Sequence, residues 1–292
     1  MELKKLGVWA AVEHLPATEA AAFAKRVEAW GYGALWIPEA VGREAFTSSS
    51  WLLANTTKLV IGTGIATLYA RDPINAVQAQ NTLNEQSNGR FLLGLGVSHA
   101  PLVGMRKHGY GKPIETMRAY LKGMAEAPYM GVRPAEKPKT VIAALGPKML
   151  AVAAELADGA IPYNVPPEHT AQARKILGPG KLLCVEQGVI LETNPAKARA
   201  VARRYLPNYL GLPNYVENWK RLGFGAADFE NGGSDKLADA VIAWGDEKAI
   251  RARIDAHWKA GADHVCIQAM GTAGTAYPPT DEVLLKLLAP GK

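Results

Sequence analysis

The sequence predicts a closed (β/α)8 barrel with a late helical insertion. Eight short β-branched or apolar runs alternate with longer amphipathic segments along nearly the whole chain, the pattern of parallel βα units. The 292 residues accommodate a barrel core of about 250 residues plus insertions. An open doubly wound sheet is the competing arrangement. Against a dinucleotide-binding unit, the first turn, GVWAAVEHLPAT, carries no G-x-G-x-x-G. GLG at 94–96 comes too late in the strand order and is followed by SHAP.

Taken in order, KKLGVWA (4–10) reads as the first strand, and TEAAAFAKRVEAW (18–30) as a helix with Thr18 as N-cap, stopped by Gly31 and Gly33. ALWIP (34–38) is the second strand, followed by a helix around 46–55. KLVIGTGI (58–65) is the third, and Asp72 caps a helix that Pro73 opens and that runs to about Ser87. In the same segment Arg71 reads first as a solvated charge and second as an anion contact. GRFLLGLGV (89–97) is the fourth strand, leading through a long glycine-rich loop (GMRKHGYGKP) to a helix from about Pro113 to Ala127. TVIAAL (140–145), DGAIPY (158–163), KLLCVEQGVIL (181–191) and DHVCIQA (263–269) complete the set. Between about 195 and 245 the rhythm breaks into PAKARAVARRYLPNYL, PNYVENWKRLGF and SDKLADAVIAW, three helical stretches where a barrel needs one. The expectation is one domain over 1–292 with its insertion there.

Composition narrows the function. With 48% hydrophobic and 21% charged residues the chain is ordinary globular protein, large enough to bury roughly three-quarters of its unfolded surface without disulfides. Cys184 and Cys266 stand far apart inside apolar runs, as small core residues do, and suit a reducing cytoplasm. No signal peptide or membrane-length apolar run is visible. A net charge of +6 and a pI near 9.2 raise the question of nucleic acid. The 33 Lys and Arg are scattered, however, and an anionic small molecule is the better match.

Chemistry on a barrel sits at the carboxyl ends of the strands. That rule selects Glu13, His14, Glu39, Gly64, Ile65, Ser98, His99, Gly146 to Met149, Tyr163, Glu186, Gln187 and Gln268. Gly146-Pro147-Lys148 runs straight into an apolar-striped helix. Free N–H groups, the positive helix end and Lys148 would hold a phosphate there, although a tight turn with a capping glycine accounts for the same residues. Glu39 can orient a cofactor or exchange a proton, or be a loop acid. His99 can act as an acid near neutrality, or pack the loop. The histidines show no H-x-H or H-E-x-x-H spacing, so no metal site is expected. No G-x-S-x-G elbow suggests a serine hydrolase.

Read together and in order, LWIPE, IGTGI, RFLLGLGVSH, ALGPKMLAVAAELADGAIPY and GADHVCIQ resemble the bacterial luciferase-like superfamily, and within it the oxidoreductases that use the deazaflavin coenzyme (factor 420). KML after ALGP, PPEHT at 166–170 and GADHV are similar to an actinobacterial branch of these. The resemblance implies the barrel with a late insertion and a commonly dimeric assembly. For a homodimer, the helix carrying Trp51, Leu52 and Leu53 offers apolar surface. It implies a non-prolyl cis bond at Gly64–Ile65 backing the coenzyme ring, and the coenzyme phosphate at Gly146, Pro147 and Lys148. Ring and phosphate contacts are expected from Glu39, Gly64, Ile65, Ala66, Val97, Ser98, Leu145, Gly146, Pro147, Lys148, Met149 and Tyr163. Members that oxidise a sugar phosphate carry an Asp-His pair after strand two and a Glu before Ser98. This chain has Glu39-Ala40 and Val97. The implied activity is therefore hydride transfer with a carbonyl or activated alkene, with His99 or Glu39 as proton donor. An FMN-dependent two-component monooxygenase and a non-catalytic flavin-binding member are the alternatives.

Overall fold

The computed structural model describes residues 2–274 and 276–290. In chain order its elements are β1 (Leu6–Trp9), α1 (Ala17–Ala29), β2 (Ala34–Ile37), α2 (Ala45–Ala54), β3 (Val60–Thr63), β4 (Ala66–Thr67), α3 (Pro73–Gln86), β5 (Phe91–Gly96), α4 (Ala100–Met105) and α5 (Pro113–Glu126). There follow β6 (Thr140–Ile142), α6 (Pro147–Leu156), β7 (Gly159–Ala160), α7 (Pro167–Leu177) and β8 (Leu182–Leu191). The remainder are α8 (Pro195–Tyr205), α9 (Pro207–Leu210), α10 (Pro213–Arg221), α11 (Asp235–Val241), β9 (Ile242–Gly245), α12 (Glu247–Lys259), β10 (His264–Ala269) and α13 (Glu282–Leu287).

Strands β1, β2, β3, β5, β6, β7, β8 and β10 pair in that order, all parallel, and β10 returns to β1, so the barrel closes. β4 continues the third barrel strand after a kink and pairs with Leu95 and Gly96 of β5. β9 corrects the expected helix over SDKLADAVIAW. The helix ends at Val241, and Ile242–Gly245 lies parallel to residues 188–191 of β8. Ile242 and Ala243 are buried there, and a strand shares its backbone hydrogen bonds with β8 where one more helical turn would not.

Local signals explain most helix starts. Asp72 accepts from Asn75 N–H at 2.8 Å, ahead of Pro73 in the first helical turn of α3. Thr18, by contrast, lies inside α1. The helix begins one residue before it, with the Pro16 carbonyl accepting from Ala20 N–H and no side-chain cap. α2 is capped by Glu44, which accepts from Phe46 and Thr47 N–H. Its Leu52 and Leu53 are buried in the protein's own core, and only Trp51 is exposed. Of the three residues expected to offer apolar surface on that helix, one does.

Alternate residues of each strand point into the barrel or out to the helices. Ala34, Trp36, Val60, Leu92, Val141, Ile161, Cys184 and Cys266 form the inner cluster, closed above by Trp9. Both cysteines are fully buried, as expected of small core residues. Low in the barrel, Trp36 Nε1 donates to His264 Nε2 at 3.0 Å, and His264 Nδ1 donates to the Lys4 carbonyl. Burial pushes His264 down to about 4, so the neutral tautomer is fixed by its two partners. Trp36→Phe removes the donor and leaves a buried ring nitrogen unpaired. About 1–3 kcal/mol of stability should be lost, measurable by urea unfolding.

Gly94 of β5 is required where the end of β3 passes it. The Thr63 hydroxyl donates to the Gly94 carbonyl and accepts from its N–H. A Cβ on Gly94 would lie 1.9 Å from the Thr63 carbonyl oxygen. The helices of the 195–241 stretch carry their own apolar cluster, with Tyr205, Leu206, Trp219 and Leu237 fully buried. No helix among the described residues is long and apolar enough to cross a membrane.

Candidate functional site

At the carboxyl end of β3 the peptide bond Gly64–Ile65 is cis, as the resemblance implies. Trp9 Nε1 donates to the Gly64 carbonyl at 3.0 Å, and Glu39 N–H donates to the Ile65 carbonyl at 3.2 Å. The Ile65 side chain occupies the space that Gly96 leaves open, since a Cβ on Gly96 would sit 2.5 Å from Ile65 Cδ1. Gly64 and Ile65 are half-buried at the barrel mouth. Ala66, the next residue, is fully buried in β4, behind the surface that a ligand can reach.

The helix-start motif becomes a defined anion cradle. Gly146 is the N-cap of α6, Pro147 opens the helix, and no side chain caps it. The amides of Met149 and Leu150 bond back to the Gly146 carbonyl. Those of Gly146 and Lys148 have no backbone partner among the described residues. Lys148 is exposed, whereas Met149 points into the core. Sequence reasoning missed the third component, the guanidinium of Arg221 at the end of α10. A Cβ on Gly146 would lie 3.0 Å from its Nη2. Behind it, His169 Nε2 meets the Leu145 carbonyl at 2.7 Å, while His169 Nδ1 and Asn218 Nδ2 are buried without partners. Nothing local in the sequence links residue 146 to residue 221, because the insertion folds back over the barrel face.

The two residues expected to handle a proton stand in different surroundings. Glu39 is buried, and its carboxylate is paired bidentately with Arg71. It also accepts from Thr67 N–H at 2.8 Å and Ala45 N–H at 3.3 Å. Its two oxygens thus accept four hydrogen bonds, from Arg71, Thr67 and Ala45. Arg71, expected first as a solvated charge, has a side chain 5% exposed. It also pairs with Glu44 and lies 4.3 Å from the Phe46 ring centroid. Its Nη1 also donates to the Thr67 carbonyl at 3.2 Å, so the buried charge is paired with carboxylates and hydrogen-bonded.

His99 precedes α4 and faces Tyr215, with ring centroids 5.8 Å apart. Burial lowers its pKa below the ordinary value, with an Asn214 hydrogen bond opposing, so it is neutral near pH 7. Ser98 has a left-handed backbone (φ 55°), a conformation serine rarely adopts, and its carbonyl accepts from Tyr110. Val97 packs on the core from a half-buried position.

Tyr163, half-buried after β7, is the hub of the mouth. Its hydroxyl lies 2.6 Å from Tyr205 Oη, donates to Gln268 Oε1 at 2.6 Å and accepts from Tyr209 Oη at 3.2 Å. Its ring is 5.4 Å from Trp9 and 5.6 Å from Tyr209. On the inward face of β8, Glu186 is fully buried. Its Oε2 accepts from Asn164 N–H at 3.0 Å, and its Oε1 has no partner among the described residues. Burial raises its pKa to about 8, the Asn164 hydrogen bond opposing. It is therefore mostly protonated at pH 7 and places little negative charge beneath the tyrosines.

Residues 4–264 match the family model of luciferase-like monooxygenases. A Mycobacterium tuberculosis protein classed as a coenzyme F420-dependent oxidoreductase is 26% identical, with 92% of this chain and 94% of that protein covered. Among solved structures, an F420-dependent secondary alcohol dehydrogenase in complex with an F420–acetone adduct superposes with TM-score 0.76 at 15% identity, covering 99% and 98% of the two chains. The oxygenating constituent of 3,6-diketocamphane monooxygenase from Pseudomonas putida, in complex with FMN, superposes with TM-score 0.67 at 12% identity, covering 99% and 97%. At those identities the superpositions establish the fold.

Proposed function

Because the chain belongs to the luciferase-like monooxygenase family, we propose that it is an oxidoreductase that binds coenzyme F420 at the barrel mouth and acts on a small organic carbonyl compound or activated alkene. The observation that carries this reading is the Arg221 guanidinium set against Gly146 at the uncapped start of α6. One guanidinium, a helix N-terminus and two amides without a backbone partner among the described residues meet there, with Lys148 exposed beside them, which suits a phosphate. The coenzyme supplies the hydride when bound; the protein supplies binding, orientation and exclusion of water.

In this reading Gly146, Pro147, Lys148 and Arg221 hold the phosphate, with Leu145 fixed behind them by His169. Gly64, Ile65 and Trp9 back the ring, and Val97, Ser98 and Tyr163 flank it. Ala66 and Met149 act from behind, through the backbone they position, and Glu39 holds its loop. The neutral His99 is a hydrogen-bonding group at the mouth. The match over 92% of the chain to a protein classed as F420-dependent favours this coenzyme over FMN.

Fluorescence titration of the full chain with F420 and with FMN tests the coenzyme. Saturable F420 binding is expected, and tight FMN binding without F420 binding would sink the proposal in favour of a monooxygenase. Arg221→Ala should weaken F420 binding about tenfold to a hundredfold, the effect of losing a charge-assisted hydrogen bond. The melting temperature should stay unchanged, because Arg221 is exposed. Binding should also weaken with added salt. An unaltered Arg221→Ala affinity would remove the phosphate assignment.

A further inference from the structure

We propose that Tyr163 and Tyr209, backed by Tyr205, form a hydrogen-bond donor site for the carbonyl oxygen of an uncharged, planar substrate. The proposal rests on the oxidoreductase reading for its use, and on the following geometry for its existence.

Three phenols from separate elements bring their hydroxyls together at the barrel mouth: Tyr163 from the loop after β7, Tyr205 from the end of α8 and Tyr209 from α9. The Tyr163 oxygen stands 2.6 Å from Tyr205 Oη and 3.2 Å from Tyr209 Oη. Tyr205 Oη also reaches Asn164 Oδ1 at 3.3 Å and Gln268 Oε1 at 3.4 Å. Packing alone does not require this, since phenylalanine fills the same space without importing three polar atoms. In the free protein Tyr209 donates to Tyr163, and Tyr163 donates to Gln268 Oε1. The Tyr209–Tyr163 contact is the longest of those made by Tyr163, and Tyr209 and Tyr163 are both half-buried, whereas Tyr205 is fully buried. An incoming oxygen therefore takes the Tyr209 hydrogen bond first and that of Tyr163, turned away from Gln268, second. Tyr205 remains behind Tyr163, and a hydroxyl that accepts from a neighbour donates more strongly.

The surroundings fix the class of ligand. The walls are aromatic: Trp9 lies 5.4 Å from Tyr163, and Tyr215 lies 4.9 Å from Tyr209. Among the described residues no lysine or arginine is hydrogen-bonded to the three phenols. A phosphorylated or carboxylate substrate would find no counter-charge there. A flat neutral molecule with one carbonyl oxygen finds stacking faces and donors together. Burial raises the phenol pKa values, so all three hydroxyls remain protonated donors through the neutral range. The neutral Glu186 beneath them does not oppose charge developing on a bound oxygen.

The test uses the full-length chain and 4-nitrophenol, whose ring and oxygen mimic a flat carbonyl compound with negative charge building on oxygen. Binding is followed by difference absorbance, with and without F420. Saturable binding is expected in the wild type, with the bound probe ionising at lower pH than the free one. Tyr163→Phe and Tyr209→Phe, which keep the rings, should weaken binding at least about tenfold and abolish the shift in probe ionisation. Tyr129→Phe, in the loop after α5, should change neither. If Tyr163→Phe does not fold, Tyr209→Phe, altered at a half-buried hydroxyl, decides the question. Absence of saturable binding in the wild type, or affinities within twofold across the folded variants, would overturn the proposal. A chain that binds the probe but not F420 would lose the coenzyme reading and keep the oxygen site.

Discussion

Replacing Arg71 by methionine is expected to cost about 3–5 kcal/mol of folding stability, the range for breaking a buried ion pair by removing one partner. The side chains of Arg71 and Glu39 are 5% and 2% exposed. In the variant Glu39 keeps the N–H groups of Thr67 and Ala45 and loses both guanidinium contacts, which leaves a buried carboxylate without a counter-charge. Methionine retains apolar contact with Phe46, so the loss is electrostatic and not a cavity. The double variant Glu39→Gln/Arg71→Met should recover part of the deficit, because no charge is then stranded. Arg118→Ala, which breaks a surface pair with Glu155, should cost no more than about 1 kcal/mol. Urea unfolding of the four proteins decides the matter. If Arg71→Met is as mild as Arg118→Ala, the buried pair does not hold the loop, and the role of Glu39 as a fixed anchor fails.

The pH dependence of stability should carry the signature of Glu186. Its pKa is raised from 4.5 to about 8 in the folded protein. Below 4.5 it is protonated in both states and contributes no difference. Between 4.5 and 8 the folded state holds a proton that the unfolded state has lost, so stability falls as pH rises, by about 1.4 kcal/mol per unit, and levels off above 8. His257 and His264, lowered by burial to about 3 and about 4, act in the opposite sense up to about pH 6.5. A comparison with Glu186→Gln removes their contribution, because they are common to both proteins. Glutamine still accepts from Asn164 N–H and has no charge to bury. Relative to wild type the variant should gain about 3–5 kcal/mol between pH 4.5 and pH 9. Parallel stability curves for the two proteins would mean that Glu186 ionises normally.

Several positions were legible without coordinates because their meaning is local. A strand that ends in Gly146-Pro147-Lys148 and enters an apolar helix announces an uncapped, positively polarised helix start. Asp72 before Pro73 announces a cap, and Cys184 and Cys266 inside apolar runs announce core. The cis bond at Gly64–Ile65 was legible by resemblance alone, since no rule of propensity selects it. Arg71 misled for a physical reason. In sequence it is one charge before a helix, and only the approach of Glu39 and Glu44 across the mouth turns it into a buried partner. Thr18 misled because Pro16 had already started the helix.

The alternation of apolar periods determined the barrel, since parallel strands separated by amphipathic helices have few ways to bury both faces of a sheet. The same pattern located the strand ends, where any chemistry must lie. Only the tertiary structure decided which strand ends meet. It brought Arg221 to Gly146, joined Tyr163 to Tyr205, Tyr209 and Gln268, and set Glu186 beneath them without a counter-charge. The contacts of Arg221 and Tyr163 join residues 42 to 105 positions apart. Their energies depend on burial and mutual orientation, which periodicity does not encode.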